Sequence, residues 1–268
     1  MGNSEVSPFP SEVFAELASD TRCSILHMLL EKPTRTNKLA KDLGLTVQET
    51  HRNTARLVEA GLIRKDPEGF FLLTEYGRLA AEQIPYYQFL LKHKKFFDDH
   101  VCDLPPKFKQ RLGALRDCDL VTKVTNVQQR IKKMESEAEE KIQLIVSQAW
   151  EEEGRTLLDR LKKGVKVSTI FGFDSVMPDE IAENLQKKIT SFIPKGTLEQ
   201  KMVEGSLKIA VYIADRKAAV IFPNQKGEID MSTLFFGKEQ EFYGWCRDYF
   251  DYLSEKAKPM VKGRTKLY

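Results

Sequence analysis

Apolar and polar positions in the first third of the chain alternate with the period of α-helices. Between positions 13 and 30, residues such as Val13, Leu17, Ile25 and Leu29 recur at spacings that place them on one helical face. Pro33 lacks the N–H that a helix interior needs, so we expect the helical region to end before it. The pattern predicts one or two helices over 11–32.

Two more short helical stretches follow, over 36–43 and 47–60, and Gly44 separates them. Glycine adopts the left-handed conformation that commonly ends a helix, so a tight turn is expected there. Thr46 and Glu49 have the T-x-x-E spacing of a capping box, which marks the start of the next helix. The stretch is therefore predicted to be helix, turn, helix.

A β-hairpin is predicted directly after these helices. The segment 62–74 reads LIRKDPEGFFLLT, in which Asp-Pro-Glu-Gly provides turn residues and the apolar run after it favours a strand. Helices, turn, helix and hairpin in this order are typical of a winged helix-turn-helix. We therefore predict an α+β winged helix-turn-helix domain over 1–75.

The apolar pattern of residues 76–104 predicts a linking helix with a kink or break at Pro85. Its apolar stripe includes Leu79, Ile84, Phe89 and Phe96, more apolar surface than a small domain buries by itself. A second subunit or the following domain would cover it, and we expect a role in dimerisation.

Beyond Pro105 and Pro106 the pattern changes to alternating strands and helices. Strands are predicted at 141–148 and 165–173, a hairpin at 207–223 turning at 215–216, and a final helix at 239–256. This alternation favours an α/β domain with a partly parallel sheet over 105–268.

Composition narrows the class of protein without identifying a partner. Of 268 residues, 41% are hydrophobic and 30% charged, and no apolar run approaches the length of a membrane span. The N-terminus lacks the features of a secretory signal, and four scattered cysteines favour reduced thiols, so a cytoplasmic protein is expected. The net charge of +3 is too small to indicate a nucleic acid, so any such prediction depends on local placement.

The helix after Gly44 carries residue types that read bases. Arginine bonds guanine with two hydrogen bonds, asparagine and glutamine bond adenine likewise, and the start of such a helix enters the major groove. Lysines of the preceding helix and basic residues of the hairpin are placed to contact phosphates. The predicted DNA-contacting residues are Thr36, Lys38, Lys41, Thr46, Gln48, His51, Arg52, Asn53, Arg56, Arg64 and Lys65.

The charge of this domain leaves an alternative open. Positions 1–84 contain ten lysines and arginines against twelve acidic residues. A winged helix that binds another protein rather than DNA would also fit, because this fold order alone does not fix function.

Two resemblances extend these predictions. The segment 16–63, ELASDTRCSILHMLLEKPTRTNKLAKDLGLTVQETHRNTARLVEAGLI, resembles the first part of ArsR-type winged-helix repressors, without the C-x-C pair of their metal-sensing members. The segment 208–253, with its FFG and WCRDYF motifs, resembles the sensor domain of archaeal FilR-type methanogenesis regulators. The second resemblance implies an archaeal source, a regulatory role and a fold like a degenerate phospholipase D.

Phospholipase D catalysis requires H-x-K-x-x-x-x-D, which this chain lacks. At the nearest match, starting at His93, His100 occupies the aspartate position, and no histidine follows Cys102. We therefore expect no catalysis and no cofactor. A metal or thiol sensor using His93, His100, Cys102 and Cys118 remains an alternative, although their spacing is irregular for zinc.

Aromatic residues near predicted strand ends suggest an effector pocket, since α/β domains often bind ligands there. Each of them also fits a core position. The candidates are Trp150, Phe171, Phe173, Tyr212, Phe222 and Phe235. The complete prediction is a homodimeric regulator that binds double-stranded DNA at a pseudo-palindromic operator, responds to a small-molecule effector and does not bind membranes.

Overall fold

The computed structural model describes residues 10–148, 150–176 and 181–260. Contacts divide the chain into two compact units, Met1–Gln88 and Phe89–Tyr268. The division therefore falls inside the segment 76–104 that the sequence suggests as a link.

The first unit is mainly helical, with a small antiparallel sheet. Its elements are α1 (Ser11–Leu17), α2 (Asp20–Glu31), β1 (Thr34–Arg35), α3 (Thr36–Leu43), α4 (Val47–Glu59), β2 (Ile63–Lys65), β3 (Phe70–Leu73) and α5 (Glu75–Ala81), and α6 (Ile84–Lys92) crosses the division. Strand β3 pairs with β1 on one side and with β2 on the other. The predicted helices, turn and hairpin are all present, and β1 is an additional strand.

The core of this unit joins the helices to the hairpin. Ile25 and Leu26 of α2, Leu57 of α4 and Leu62 are fully buried in one cluster. Helix α5 approaches the hairpin so closely that a Cβ atom on Gly77 would lie 1.7 Å from the Leu62 carbonyl oxygen. Only glycine fits at this contact.

The second unit alternates strands and helices. Its elements are α7 (Pro106–Lys109), β4 (Asp119–Thr122), α8 (Val124–Ser136), β5 (Lys141–Gln148), α9 (Glu151–Lys162), β6 (Lys166–Val176), α10 (Ile181–Thr190), β7 (Leu198–Met202), β8 (Ala210–Ala214), β9 (Lys217–Ile221), β10 (Thr233–Gly237), α11 (Gln240–Lys256) and β11 (Lys258–Pro259), with 3₁₀ turns at Phe96–Asp98 and Leu112–Leu115.

These strands form one sheet in the order β11-β7-β6-β5-β8-β9-β10-β4. Strands β5, β6 and β7 are parallel, and the remaining pairs are antiparallel, so the predicted partly parallel α/β sheet is confirmed. One face packs against α8, α9 and α10 around residues such as Leu144 and Leu157. The other face packs against α11, where Trp245 is fully buried.

Asp215 joins the β8–β9 hairpin to the loop between α8 and β5. Its backbone φ is 51°, and its carboxylate accepts hydrogen bonds from the N–H groups of Glu139, Glu140 and Lys141 at 2.8, 2.9 and 3.0 Å. Burial alone would raise the pKa of Asp215, but these backbone bonds lower it overall. The carboxylate therefore fixes the end of α8 to the sheet.

Candidate nucleic-acid interface and effector cavity

The turn at Gly44 and the cap at Thr46 set how α4 begins. Gly44 has a φ of 64°, the left-handed value expected at the end of α3. The Thr46 hydroxyl accepts the Glu49 N–H at 3.1 Å, and the Glu49 carboxylate accepts the Thr46 N–H at 2.9 Å. This is the predicted capping box, and it fixes the first turn of α4 without covering it.

The exposed face of α4 carries polar residues at helical spacing. Gln48, His51 and Arg52 are exposed, while Thr50, Thr54 and Leu57 on the opposite face are buried. We call the first three residues the α4 face. It presents one amide, one imidazole and one guanidinium from the first two turns of the helix.

Two residues predicted at this surface have other partners. Asn53 is 8% exposed, and its side-chain amide donates to the Glu49 carbonyl at 2.9 Å, so the prediction that it reads a base is wrong. Arg56 forms an ion pair with the buried Glu16 at 2.6 Å, and Glu16 also pairs with Arg22 at 2.8 Å. This pairing raises the pKa of Arg56 and links α4 to α1 and α2, so its guanidinium has a structural partner.

Helix α3 and the hairpin add basic residues beside the α4 face in this unit. Lys38 and Lys41 are exposed on α3, where Lys38 pairs with Asp42 at 2.8 Å, and Thr36 is half-buried at the start of the helix. In the sheet, Arg64 lies opposite Leu72 and Arg35 opposite Phe70, so both arginines share the outer face.

Arg35 is not among the residues predicted from the sequence to contact DNA, because a two-residue strand has no hydrophobic periodicity that would reveal it. Its guanidinium lies 4.4 Å from the centre of the Phe70 ring. Lys65 pairs with Phe71 in the register, so it starts from the inner face of the sheet, although its side chain is exposed. Arg35 is therefore better placed than Lys65 to act together with Arg64.

A small cavity lies between α8, α9 and the sheet in the second unit. It measures about 90 Å³, and its walls include the predicted residues Trp150 and Tyr212 together with Glu135 and Glu153. A neighbouring cavity of about 50 Å³ shares Trp150 and Glu153 and is lined by Phe171. Three of the six predicted effector residues therefore meet at the carboxyl end of β5.

The other three aromatic candidates lie elsewhere. Phe222 and Phe235 are fully buried on the opposite face of the sheet, where their rings pack against Phe96 at 6.1 and 4.8 Å between centroids. Phe173 is 56% exposed. The prediction that Phe222 and Phe235 line the pocket is wrong because successive residues of a strand point to opposite faces of the sheet. Phe173 shares the parity of Phe171 in β6, but it lines neither of the two cavities.

The possible metal ligands do not converge. The His93 Nε2 atom is 3.6 Å from the Cys118 sulfur, and both side chains are buried, which lowers the pKa of His93 to about 4 and raises that of Cys118 to about 11. His100 instead bonds Asp230 at 2.9 Å and the Phe96 carbonyl. Among residues 10–148, 150–176 and 181–260, no three histidine, cysteine or acidic side chains are arranged to hold a metal ion.

In the part of the chain that the structure describes, no helix is both long and apolar enough to span a bilayer.

Comparisons with known proteins match mainly the second unit. Residues 127–256 match the family model of the methanogenesis regulatory protein FilR1, middle domain. No curated protein sequence matches the chain.

Solved structures overlap more broadly at low identity. TrmBL2, described as an archaeal chromatin protein with a novel mode of DNA binding, is 14% identical, with 94% of this chain and 100% of that chain covered and a TM-score of 0.42. NucT from Helicobacter pylori is 15% identical over 54% and 99% of the two chains, with a TM-score of 0.42. Nuc from Salmonella typhimurium, a phospholipase D family member, is 9% identical over 55% and 99%, with a TM-score of 0.41.

Proposed function

We propose that this protein is a transcriptional regulator that binds a pseudo-palindromic DNA operator as a homodimer. The first unit acts as a winged helix-turn-helix, with α4 in the major groove and the β2–β3 hairpin as the wing. The observation that carries the proposal is the α4 face, because its base-reading side chains are exposed on a helix whose first turn is fixed.

The role proposed for each residue of this surface follows from the exposure of its side chain and from its hydrogen-bond or ion-pair partners. Gln48, His51 and Arg52 contact base edges, and Arg52 is the residue best suited to guanine. Lys38, Lys41 and the outer arginines of the hairpin contact phosphates, which set position and salt sensitivity without choosing sequence. Asn53 and Arg56 support the helix instead.

The second unit supports a regulatory role through its family match. Residues 127–256 cover most of this unit and match the middle domain of a regulatory protein. A cavity lined by Trp150 and Tyr212 offers a place for an effector. In this proposal the effector favours one spacing of the two DNA-binding units, which requires that it bind that state more tightly.

Exposed apolar side chains on α5 and α6 support the homodimer. Tyr76 and Leu79 of α5 are 52% and 57% exposed, and Tyr87 and Leu91 of α6 are 48% and 78% exposed. Each pair has the three- or four-residue spacing of one helical face. A second copy of the chain would bury them.

The test is selection of bound sequences from random duplexes by the full chain, followed by fluorescence anisotropy at two salt concentrations. We expect one enriched half-site, repeated about one helical turn apart, and affinity that falls steeply with salt. Arg52→Ala should weaken binding and relax choice at one base position. Arg78→Ala removes the same charge from the exposed surface of α5 and should leave selection unchanged.

Failure to enrich any sequence, with no salt-dependent retention of DNA, would contradict the proposal. The winged-helix protein-interaction module would then be favoured, in line with the excess of acidic residues over positions 1–84.

A further inference from the structure

The cavity between α8 and α9 contains a pair of acidic side chains that the proposed DNA binding does not use. Glu135 comes from α8 and Glu153 from α9, and both line the cavity at the carboxyl end of β5. In open α/β sheets this edge is where ligands commonly bind.

Glu135 is a buried group whose side chain lies against another acid. It is 1% exposed, no ordinary donor group among the described residues bonds its carboxylate oxygens, and its carboxyl group lies within hydrogen-bond reach of the Glu153 carboxyl, with which it can share a proton. Glu153 lies nearer to solvent, and its carboxylate accepts the backbone N–H of Trp150. Two carboxylates in a small buried space repel each other, and removing both from water is unfavourable, so they require either a shared proton or a cation.

Basic side chains of the described chain do not supply that cation. Lys132 is the basic residue in the cavity wall, and its ammonium pairs with Glu152, which is exposed. The rest of the wall mixes the aromatic residues Trp150 and Tyr212 with aliphatic and uncharged polar side chains, namely Ile131, Ala210, Met231, Gln128, Ser147 and Gln148. Aromatic and aliphatic walls suit an organic cation, because aromatic rings attract cations and aliphatic groups pack against its carbon atoms.

We propose that this cavity binds a small organic ammonium ion, with Glu135 and Glu153 as its counter-charges and Trp150 and Tyr212 as its aromatic wall. The volume of about 90 Å³ is that of roughly three waters, which suits an ammonium head group. The identification of this ion as the effector rests on the proposed function, but the site itself does not.

The adjoining cavity suggests what the ammonium carries. Its volume is about 50 Å³, it shares Trp150 and Glu153 with the first cavity, and its other walls include Leu157, Val167 and Phe171. Thr169, Gln186 and Gln200 also line it, but most of its wall is apolar, so a short hydrocarbon chain attached to the ammonium would lie there. The chemical class is therefore an alkylammonium with a few carbon atoms.

Titration calorimetry of the full chain with butylammonium chloride at pH 8 tests the proposal. We expect one saturable site, with no heat of binding from butan-1-ol at the same concentration. Glu135→Gln keeps the shape of the side chain and removes its charge, so it should weaken binding about tenfold or more. Glu151→Gln removes the same charge from α9 outside the cavity and should bind as the unsubstituted protein does.

Binding should also strengthen from pH 6 to pH 8, because a cation displaces a proton from the pair. Burial is the main cause that raises the pKa of Glu153 to about 7. The other titratable groups at the cavity are Glu135, Tyr212 and the Lys132–Glu152 ion pair, and Glu153→Gln should abolish the pH dependence.

Three results would overturn the proposal: no binding of butylammonium, equal binding of butan-1-ol, or equal affinity in Glu135→Gln with its fold verified by circular dichroism. Saturable binding of magnesium chloride with none of butylammonium would assign a metal site and overturn it equally. Butylammonium binding without any change in operator affinity would support the site and remove its regulatory role. DNA binding without an ammonium site would leave the proposed function intact.

Discussion

The acidic pair in the α8–α9 cavity predicts an unusual dependence of stability on pH. A carboxylate that is paired in the folded state stabilises the protein, and this contribution to the free energy of unfolding is lost as pH falls. Glu153 should do the opposite, because burial raises the pKa of its carboxyl group to about 7 from an ordinary value of 4.5. The perturbation that isolates this effect is Glu153→Gln, which removes the titration and keeps an oxygen that can accept the Trp150 N–H.

The magnitude follows from the difference between the two pKa values. Below pH 4.5 the group is protonated in both folded and unfolded chains, so its titration contributes nothing. Between 4.5 and 7 only the folded chain holds the proton, so the free energy of unfolding falls by about 1.4 kcal/mol for each pH unit. The contribution of this Glu153 step is about 3 kcal/mol, fully lost above pH 7. Burial also raises the pKa of Glu135, which is present in both the unsubstituted protein and Glu153→Gln, so the comparison reports the step that the second acid adds to the pair.

The assay is urea unfolding of the unsubstituted protein, Glu153→Gln and Glu151→Gln at pH 5, 6, 7 and 8. The free energy of unfolding of the unsubstituted protein should fall relative to Glu153→Gln as pH rises, and the Glu151→Gln control should follow the unsubstituted protein. Taking this difference cancels the contribution of His93, whose lowered pKa acts in the opposite direction over part of the range. A constant difference between pH 5 and pH 8 would refute the reasoning.

Four further predictions concern the first unit and the proposed dimer. Arg52→Ala should weaken binding of the selected duplex by about 1–3 kcal/mol in anisotropy measurements, and Arg78→Ala should not. Thr46→Ala should lower the free energy of unfolding by about 1 kcal/mol through loss of the helix cap, which urea unfolding measures. Gly77→Ala should lower the melting temperature sharply in calorimetry, because its methyl group would overlap the Leu62 carbonyl, whereas Ala80→Gly should have a smaller effect. Leu79→Ser combined with Leu91→Ser should shift the sedimenting species from dimer to monomer without loss of helical circular dichroism; an unchanged dimer would contradict the proposed interface.

Elements with a clear local pattern could be predicted from the sequence. Gly44 and the T-x-x-E box locate the start of α4, and the buried run 141–148 coincides with β5. Strands β4 and β10 were missed because each is short and lies at or next to an edge of the sheet, where pairing rather than hydrophobic periodicity defines it.

The candidate site was harder to predict, because it depends on which face each side chain occupies. Asn53 and Arg52 are adjacent in sequence and equally suited to bases, yet the 100° step of the helix places one inside and the other outside. The Glu135–Glu153 pair combines side chains from two helices separated by a strand, and in sequence each resembles one more solvent-facing acid on a charged helix.

Because Asp215 holds the loop after α8, a ligand in the α8–α9 cavity should move the opposite end of this helix. Glu135 lies about one turn from this clamped end, whereas Val124 lies at the far end of a helix about 20 Å long. The cavity contacts α8 from Gln128 to Glu135, and a rotation of the helix by about 5° about its clamped end moves Val124 by almost 2 Å. Val124 follows β4 through Lys123, so deuterium uptake by the amides of β4 should register whether the cavity is occupied.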